Sequence, residues 1–119
     1  MAAFEISSEE QGPGIFHLSL SGSLYTDQQP ELDQAVDRLL TGKPAALVFD
    51  LEHLEYLSSA GIGSLLKAEK ALEETGGIMV LINLRLEVRK ILELVGLLDY
   101  LNIVESPDDL GRMLDQLEK

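Results

Sequence analysis

The chain has 119 residues, no cysteine and no tryptophan, and a formal net charge of −12. Such a length suits one domain, residues 1–119, and 45% hydrophobic with 25% charged residues is ordinary for a globular fold. The charge repels phosphate backbones and anionic headgroups, which argues against nucleic acid and membrane surfaces as partners and for basic protein surfaces. Without cysteine there is neither a disulfide framework nor thiolate chemistry. No apolar run approaches the roughly 20 residues that span a bilayer. Met1-Ala2-Ala3-Phe4-Glu5 lacks the basic and apolar regions of a signal peptide. The expected compartment is the cytoplasm, without direct membrane insertion.

A first strand is predicted near Ala3 to Ser7, followed by a Gly12-Pro13-Gly14 turn and a second strand over Ile15 to Leu20. So tight a connection predicts an antiparallel pair, which Ser21-Gly22-Ser23 would end. From about Gln29, Leu32, Ala35, Val36, Leu39 and Leu40 form a helical stripe, with Pro30 in the first turn and Thr41-Gly42-Lys43-Pro44 as the stop. Ala45 to Asp50 reads as a short buried strand with Asp50 at its C-terminal end. His53 falls in an acidic loop. A second helix runs to Thr75, where Gly76-Gly77 closes it, and Ile78 to Ile82 is a strand buried on both faces. Val88, Ile91, Leu92 and Val95 mark a third helix stopped by Gly96. A strand over Tyr100 to Val104 then precedes a last helix, capped by Ser106 and striped by Leu110, Met113, Leu114 and Leu117. Strands alternating with helices predict parallel pairing. The expected class is α/β, a mixed sheet with an antiparallel hairpin at its N-terminus, its other strands parallel, packed with about four helices.

The segment Leu57-Ser58-Ser59-Ala60-Gly61-Ile62-Gly63-Ser64 joins a buried strand to an amphipathic helix through small residues. A turn of this kind leaves the first helical N–H groups open. A serine hydroxyl can cap them, and the positive end of the helix also suits a phosphate. Either serine could serve as the cap, and by ordinary N-cap preference capping is the first reading. The glycines complete neither a dinucleotide fingerprint nor a phosphate loop. At least one of Gly61 and Gly63 is expected to permit a close approach by a neighbouring element or to leave room for a partner.

The remaining chemistry is sparse. His17 reads as a surface residue in mid-strand, and neither it nor His53 has a second His or Cys at metal spacing, so no metal is expected. Asp108-Asp109 and Glu73-Glu74 read as helix ends and solvated faces, and no signature ties a serine to a histidine. No catalytic residue and no cofactor are expected. Asp50 stands where open α/β sheets place their sites, or else is a loop carboxylate that accepts backbone N–H bonds.

The stretch from Ala46 to Gly63, read with Gly22-Ser23-Leu24 and Val95-Gly96-Leu97, resembles the STAS domains, and within them the bacterial anti-sigma-factor antagonists of partner-switching systems. In that family the turn reads Asp-Ser-Ser/Thr-Gly, and the serine after the acid is phosphorylated. Gly61 in the place of the motif glycine puts Ser59 at the phosphorylated position, with Ser58 the second choice. Ser58 then replaces the motif acid, Ala60 the second hydroxyl residue, and Tyr25 a further family acid. The resemblance implies docking through Tyr25, Asp50, Ser58, Ser59, Gly61 and Ile62. It implies as partners an anti-sigma factor with a histidine-kinase-like ATPase domain and a phosphatase acting on phosphoserine. The alternative is a non-phosphorylated STAS adaptor or scaffold subunit, in a stress-signalling complex or as an accessory protein of an ABC transporter.

Overall fold

The computed structural model describes residues 3–117, with side chains to residue 116. The chain's extreme ends, and the expected place of the Leu117 side chain in the last helical stripe, lie outside the described residues. Five strands form one sheet in the order β1 (Glu5–Gly12), β2 (Ile15–Leu24), β3 (Ala46–Leu57), β4 (Ile78–Ile82) and β5 (Ile103–Val104). β1 and β2 are antiparallel and every later pairing is parallel. Helices α1 (Gln29–Leu40), α2 (Ser59–Glu74), α3 (Leu86–Leu94) and α4 (Pro107–Leu117) make the connections and close the chain. The α/β class, the hairpin and the four helices are as the sequence predicts.

Strand alternation divides the core into two layers. Leu47, Phe49 and Leu51 of β3 pack with Leu32 and Val36 of α1, Leu65, Ala68 and Leu72 of α2, and Val88 and Leu92 of α3. Val48, Val80 and Val104 face the other way, against Leu110, Met113 and Leu114 of α4. Each buried leucine contributes about 1.5–3 kcal/mol relative to exposure, and the core is mostly aliphatic, with Phe4 and Phe49 its buried aromatics.

Four expected boundaries are corrected. β1 runs on to Gly12, because its paired residues Ser8, Glu9 and Glu10 lie on an exposed edge where no apolar pattern is needed. β2 does not stop at Ser21: Gly22, at φ +83°, lets the strand bulge and continue to Leu24. β3 does not stop at Asp50 and extends to Leu57, so His53 is a strand residue and not part of a loop. Beyond Asp50 the register against β2 slips twice, leaving Leu51, Leu54 and Leu57 buried at a spacing of three. That spacing hides a strand whose period is otherwise two. Only Ile103 and Val104 of the fifth segment pair with β4, whereas the N–H groups of Tyr100 and Leu101 turn back to the carbonyl of Leu97.

One side chain on α2 carries an unbalanced charge. Glu69 Oε2 is buried with no hydrogen-bond partner among the described residues. Burial, and secondarily the neighbouring Glu73, push its carboxyl above the usual carboxylate range. A raised carboxyl binds protons more tightly in the folded than in the unfolded state, so its contribution to stability is lost as pH rises through the folded value. Glu69→Gln is therefore expected to melt at a higher temperature than wild type at pH 7. The two should converge on acidification towards pH 4, as calorimetry across that range would read. An equal difference at both pH values would contradict the account.

Candidate functional site

The C-terminal ends of β2 and β3 and the N-terminus of α2 meet at one edge of the sheet. The Ser58 N–H donates to the Leu24 carbonyl at 2.9 Å, tying the end of one strand to the turn that follows the other. Ser58 is extended, at φ −75° and ψ 166°, and its hydroxyl accepts from the Gly61 N–H at 3.2 Å. Its carbonyl receives the first helical bond, from Ile62, at 2.9 Å. Ser58 is thus the N-cap, bonded to the third helical residue and only 6% exposed. Ser59 is the first residue of α2 and is exposed, so the expectation that either serine could cap the helix is settled in favour of Ser58. No acid lies in the first turn of α2 itself.

The capping role carries its own expected result. Ser58→Ala leaves the buried Gly61 N–H without its acceptor and should lower stability by about 1 kcal/mol. Thermal unfolding would read this as a drop of a few degrees, with the fold retained. A variant as stable as wild type would show that the cap contributes nothing.

Gly61 lies beneath the turn. A Cβ there would stand 2.6 Å from Leu24 Cδ2 and 2.8 Å from Leu57 Cδ1, so this glycine admits the ends of β2 and β3. At Gly63 a Cβ would meet nothing within 4 Å. Of the two glycines named from sequence, only Gly61 provides a close approach.

Tyr25 is brought to the same edge. Its N–H donates to Gln28 Oε1 at 3.0 Å as the chain enters a short 3-10 turn over Thr26–Gln28. Its ring packs against Tyr56, with centroids 5.1 Å apart and planes tilted by 38°. Tyr56 is the residue that sequence reasoning missed. Its placement follows from the second register slip, which sets Ser23 opposite Tyr56 and Leu24 opposite Leu57, and no local pattern announces that.

Of the other residues singled out for docking, Ile62 lies in the first turn of α2 but faces inward, and Asp50 sits elsewhere. Ile62 is 8% exposed and packs into the main core. Asp50 is not at a strand end. It stands seven residues before Leu57 in β3, about 23 Å away along an extended strand. Nor is it a loop carboxylate, although it does accept a backbone bond, from the Glu52 N–H at 3.1 Å. Asn83 Nδ2 donates to the same oxygen at 3.1 Å, and His17 Nε2 lies 3.2 Å from the other. His17 is therefore half-buried and partnered, more than the surface residue expected, and this cluster links β2, β3 and the segment after β4. Among the described residues, no three His, Cys, Asp or Glu side chains are grouped to hold a metal ion. No described helix is long and apolar enough to cross a membrane.

The STAS domain model matches residues 8–110, which takes in all of this edge. The chain belongs to the STAS family. A protein of Bordetella bronchiseptica assigned as an anti-sigma factor antagonist, BtrV, is 28% identical to this STAS domain over 93 residues, or 78% of this chain and 80% of that protein. The structure matches an anti-sigma factor antagonist from Mycobacterium paratuberculosis with a TM-score of 0.81 at 25% identity, covering 98% of this chain and 96% of the other. The anti-sigma factor antagonist SpoIIAA in its unphosphorylated form gives 0.78 at 20% identity, with 98% and 96% covered. The phosphorylated form of SpoIIAA, from Bacillus, gives 0.71 at 20% identity, with 97% and 99% covered. These last two likenesses are of fold.

Proposed function

We propose that this STAS domain is a cytoplasmic anti-sigma-factor antagonist, a binding module and not an enzyme. In this reading it docks a kinase-type anti-sigma factor at the α2 turn and is released when Ser59 is phosphorylated. The observation that carries the proposal is the division of labour between the two serines. Ser58 is buried and committed to the cap, while Ser59 presents its hydroxyl at an exposed first helical position. Transfer would take the γ-phosphoryl group of ATP onto Ser59 Oγ, releasing ADP and the hydroxyl proton. The catalytic groups would belong to the partner's histidine-kinase-like ATPase domain. A phosphatase specific for phosphoserine would restore the docking form. The names of the Bordetella and Mycobacterium relatives support the antagonist role.

The direction of the switch follows from charge. The phosphate adds about −1.5 to −2 at pH 7. Placed inside a docked interface, it must give up water without a partner built to receive it, which costs binding. Incubation with the cognate kinase and ATP, read by intact mass, tests the proposal: one added phosphoryl group is expected. No transfer alongside stable binding would favour the adaptor or scaffold role.

Charge also sets an expectation for encounter. A chain at −12 should shift neither DNA nor RNA at physiological salt. Its association rate with the anti-sigma factor should fall as salt rises from 50 to 500 mM, because screening shortens the reach of the attraction. Stopped-flow mixing measures this, and a flat salt dependence would remove electrostatic steering from the account.

A further inference from the structure

We propose that the Tyr25–Tyr56 ring pair is a cation-binding surface that receives an Arg or Lys side chain of the partner docked at the α2 turn. The inference rests on the docking role proposed above and names the chemistry by which that edge selects its partner. Tyr25 and Tyr56 are 38% and 41% exposed as residues, although their rings pack on each other at 5.1 Å. Two large aromatic side chains held at one place and still open to solvent offer π-electron faces to whatever docks there. Their positions are fixed from behind. Register sets Tyr56 opposite Ser23, and the Ser58 N–H, two residues beyond Tyr56, bonds the carbonyl of Leu24, the residue before Tyr25.

The surrounding charge specifies the occupant. The stretches that bring the two rings to this edge, residues 20–30 and 51–61, contain no Lys or Arg. Asp27, two residues from Tyr25, and Glu55, next to Tyr56, are exposed in a chain of net charge −12, and Arg85 is the cation that lines a shallow pocket with Glu55. An aromatic face in such a field attracts a cation by the ring quadrupole and by the net negative potential together. A guanidinium suits a ring pair best, since it can lie flat on a face and is less strongly hydrated than an ammonium. A neutral apolar side chain would gain contact area there but nothing from the field.

The test uses the full chain and its kinase-type anti-sigma factor, titrated by calorimetry. The double variant Tyr25→Phe with Tyr56→Phe keeps both ring faces and should bind within about threefold of wild type. Tyr25→Leu with Tyr56→Leu keeps apolar bulk but loses the π faces, and should bind about tenfold more weakly. Pentafluorophenylalanine at position 25 preserves ring shape while reversing its quadrupole, and should weaken binding as the leucines do. This third variant stands in if the leucine pair fails to fold. Replacing the partner's contacting Arg or Lys by Gln should cost affinity against wild type but not against the leucine pair. Binding that ignores ring electronics, in a domain still released by Ser59 phosphorylation, overturns the cation site and leaves the docking role standing. No binding by the wild-type chain overturns both.

Discussion

A phosphoryl group on Ser59 is expected to weaken binding of the anti-sigma factor by about a hundredfold, with no loss of fold. That factor corresponds to about 3 kcal/mol, well within the cost of desolvating a dianion in an interface that lacks a partner for it. The fold should tolerate the change because the first turn of α2 carries no acid and its positive end favours negative charge. Two substitutions separate charge from hydroxyl. Ser59→Ala should block modification and bind as the unmodified chain does. Its stability should change by no more than about 0.5 kcal/mol, since Ser58 and not Ser59 provides the cap. Ser59→Asp should bind more weakly than wild type and melt slightly higher, by the equivalent of about 0.3–1 kcal/mol from the helix dipole. One carboxylate carries less charge than a phosphate, so its effect on binding should be the smaller of the two. Phosphopeptide mapping fixes the site. Modification at Ser58 alone would mean that the acceptor lies one residue earlier, on the buried cap.

Gly61→Val should unfold the protein at a temperature about 10 °C or more below wild type. The first added carbon would already stand 2.6 Å from Leu24 Cδ2 and 2.8 Å from Leu57 Cδ1, closer than side chains pack. Those leucines are 0% and 1% exposed, so turning their δ-carbons aside displaces other packed core side chains. Overpacking of this kind costs about 1–3 kcal/mol, and valine's second branch adds to it. Gly61→Ala should fall between wild type and valine. Gly63→Ala is the control, because its added carbon meets open space and the better helix former should leave stability unchanged or raise it by up to about 1 kcal/mol. Thermal melts of the four proteins check the series. If Gly61→Ala and Gly63→Ala behave alike, the close approach under the turn is not what requires glycine. If Gly61→Val stays folded but no longer binds, the glycine makes room for the partner instead.

Period and punctuation carried most of the architecture in the sequence itself. The stripe from Leu32 to Leu40, the apolar run Ile78–Ile82, the Gly76-Gly77 exit and the Ser106-Pro107 start are local signals. Each depends on residues within one or two turns of one another, and the structure places the corresponding elements where those residues put them. The turn at Ser58-Ser59 was legible for the same reason: small residues between a buried strand and an amphipathic stretch can be recognised from the chain alone.

Only the tertiary structure decided how that turn is used. Ser58 and Ser59 are chemically identical neighbours, and what separates them is a bond from Ser58 to Leu24, more than thirty residues away in the chain. Gly61 and Gly63 are likewise alike in sequence, and the difference lies in whether Leu24 and Leu57 stand above them. From sequence alone Asp50 reads as the end of a strand, because Glu52, His53 and Glu55 follow it. In fact the strand continues, since β2 supplies its hydrogen bonds and two register slips absorb the irregular spacing of Leu51, Leu54 and Leu57. Tyr56 joined Tyr25 through those same slips. Helix periodicity is a property of a segment and can be read from it. Strand register is a property of a pair, fixed by a partner that local sequence does not contain, and it was register that assembled the site.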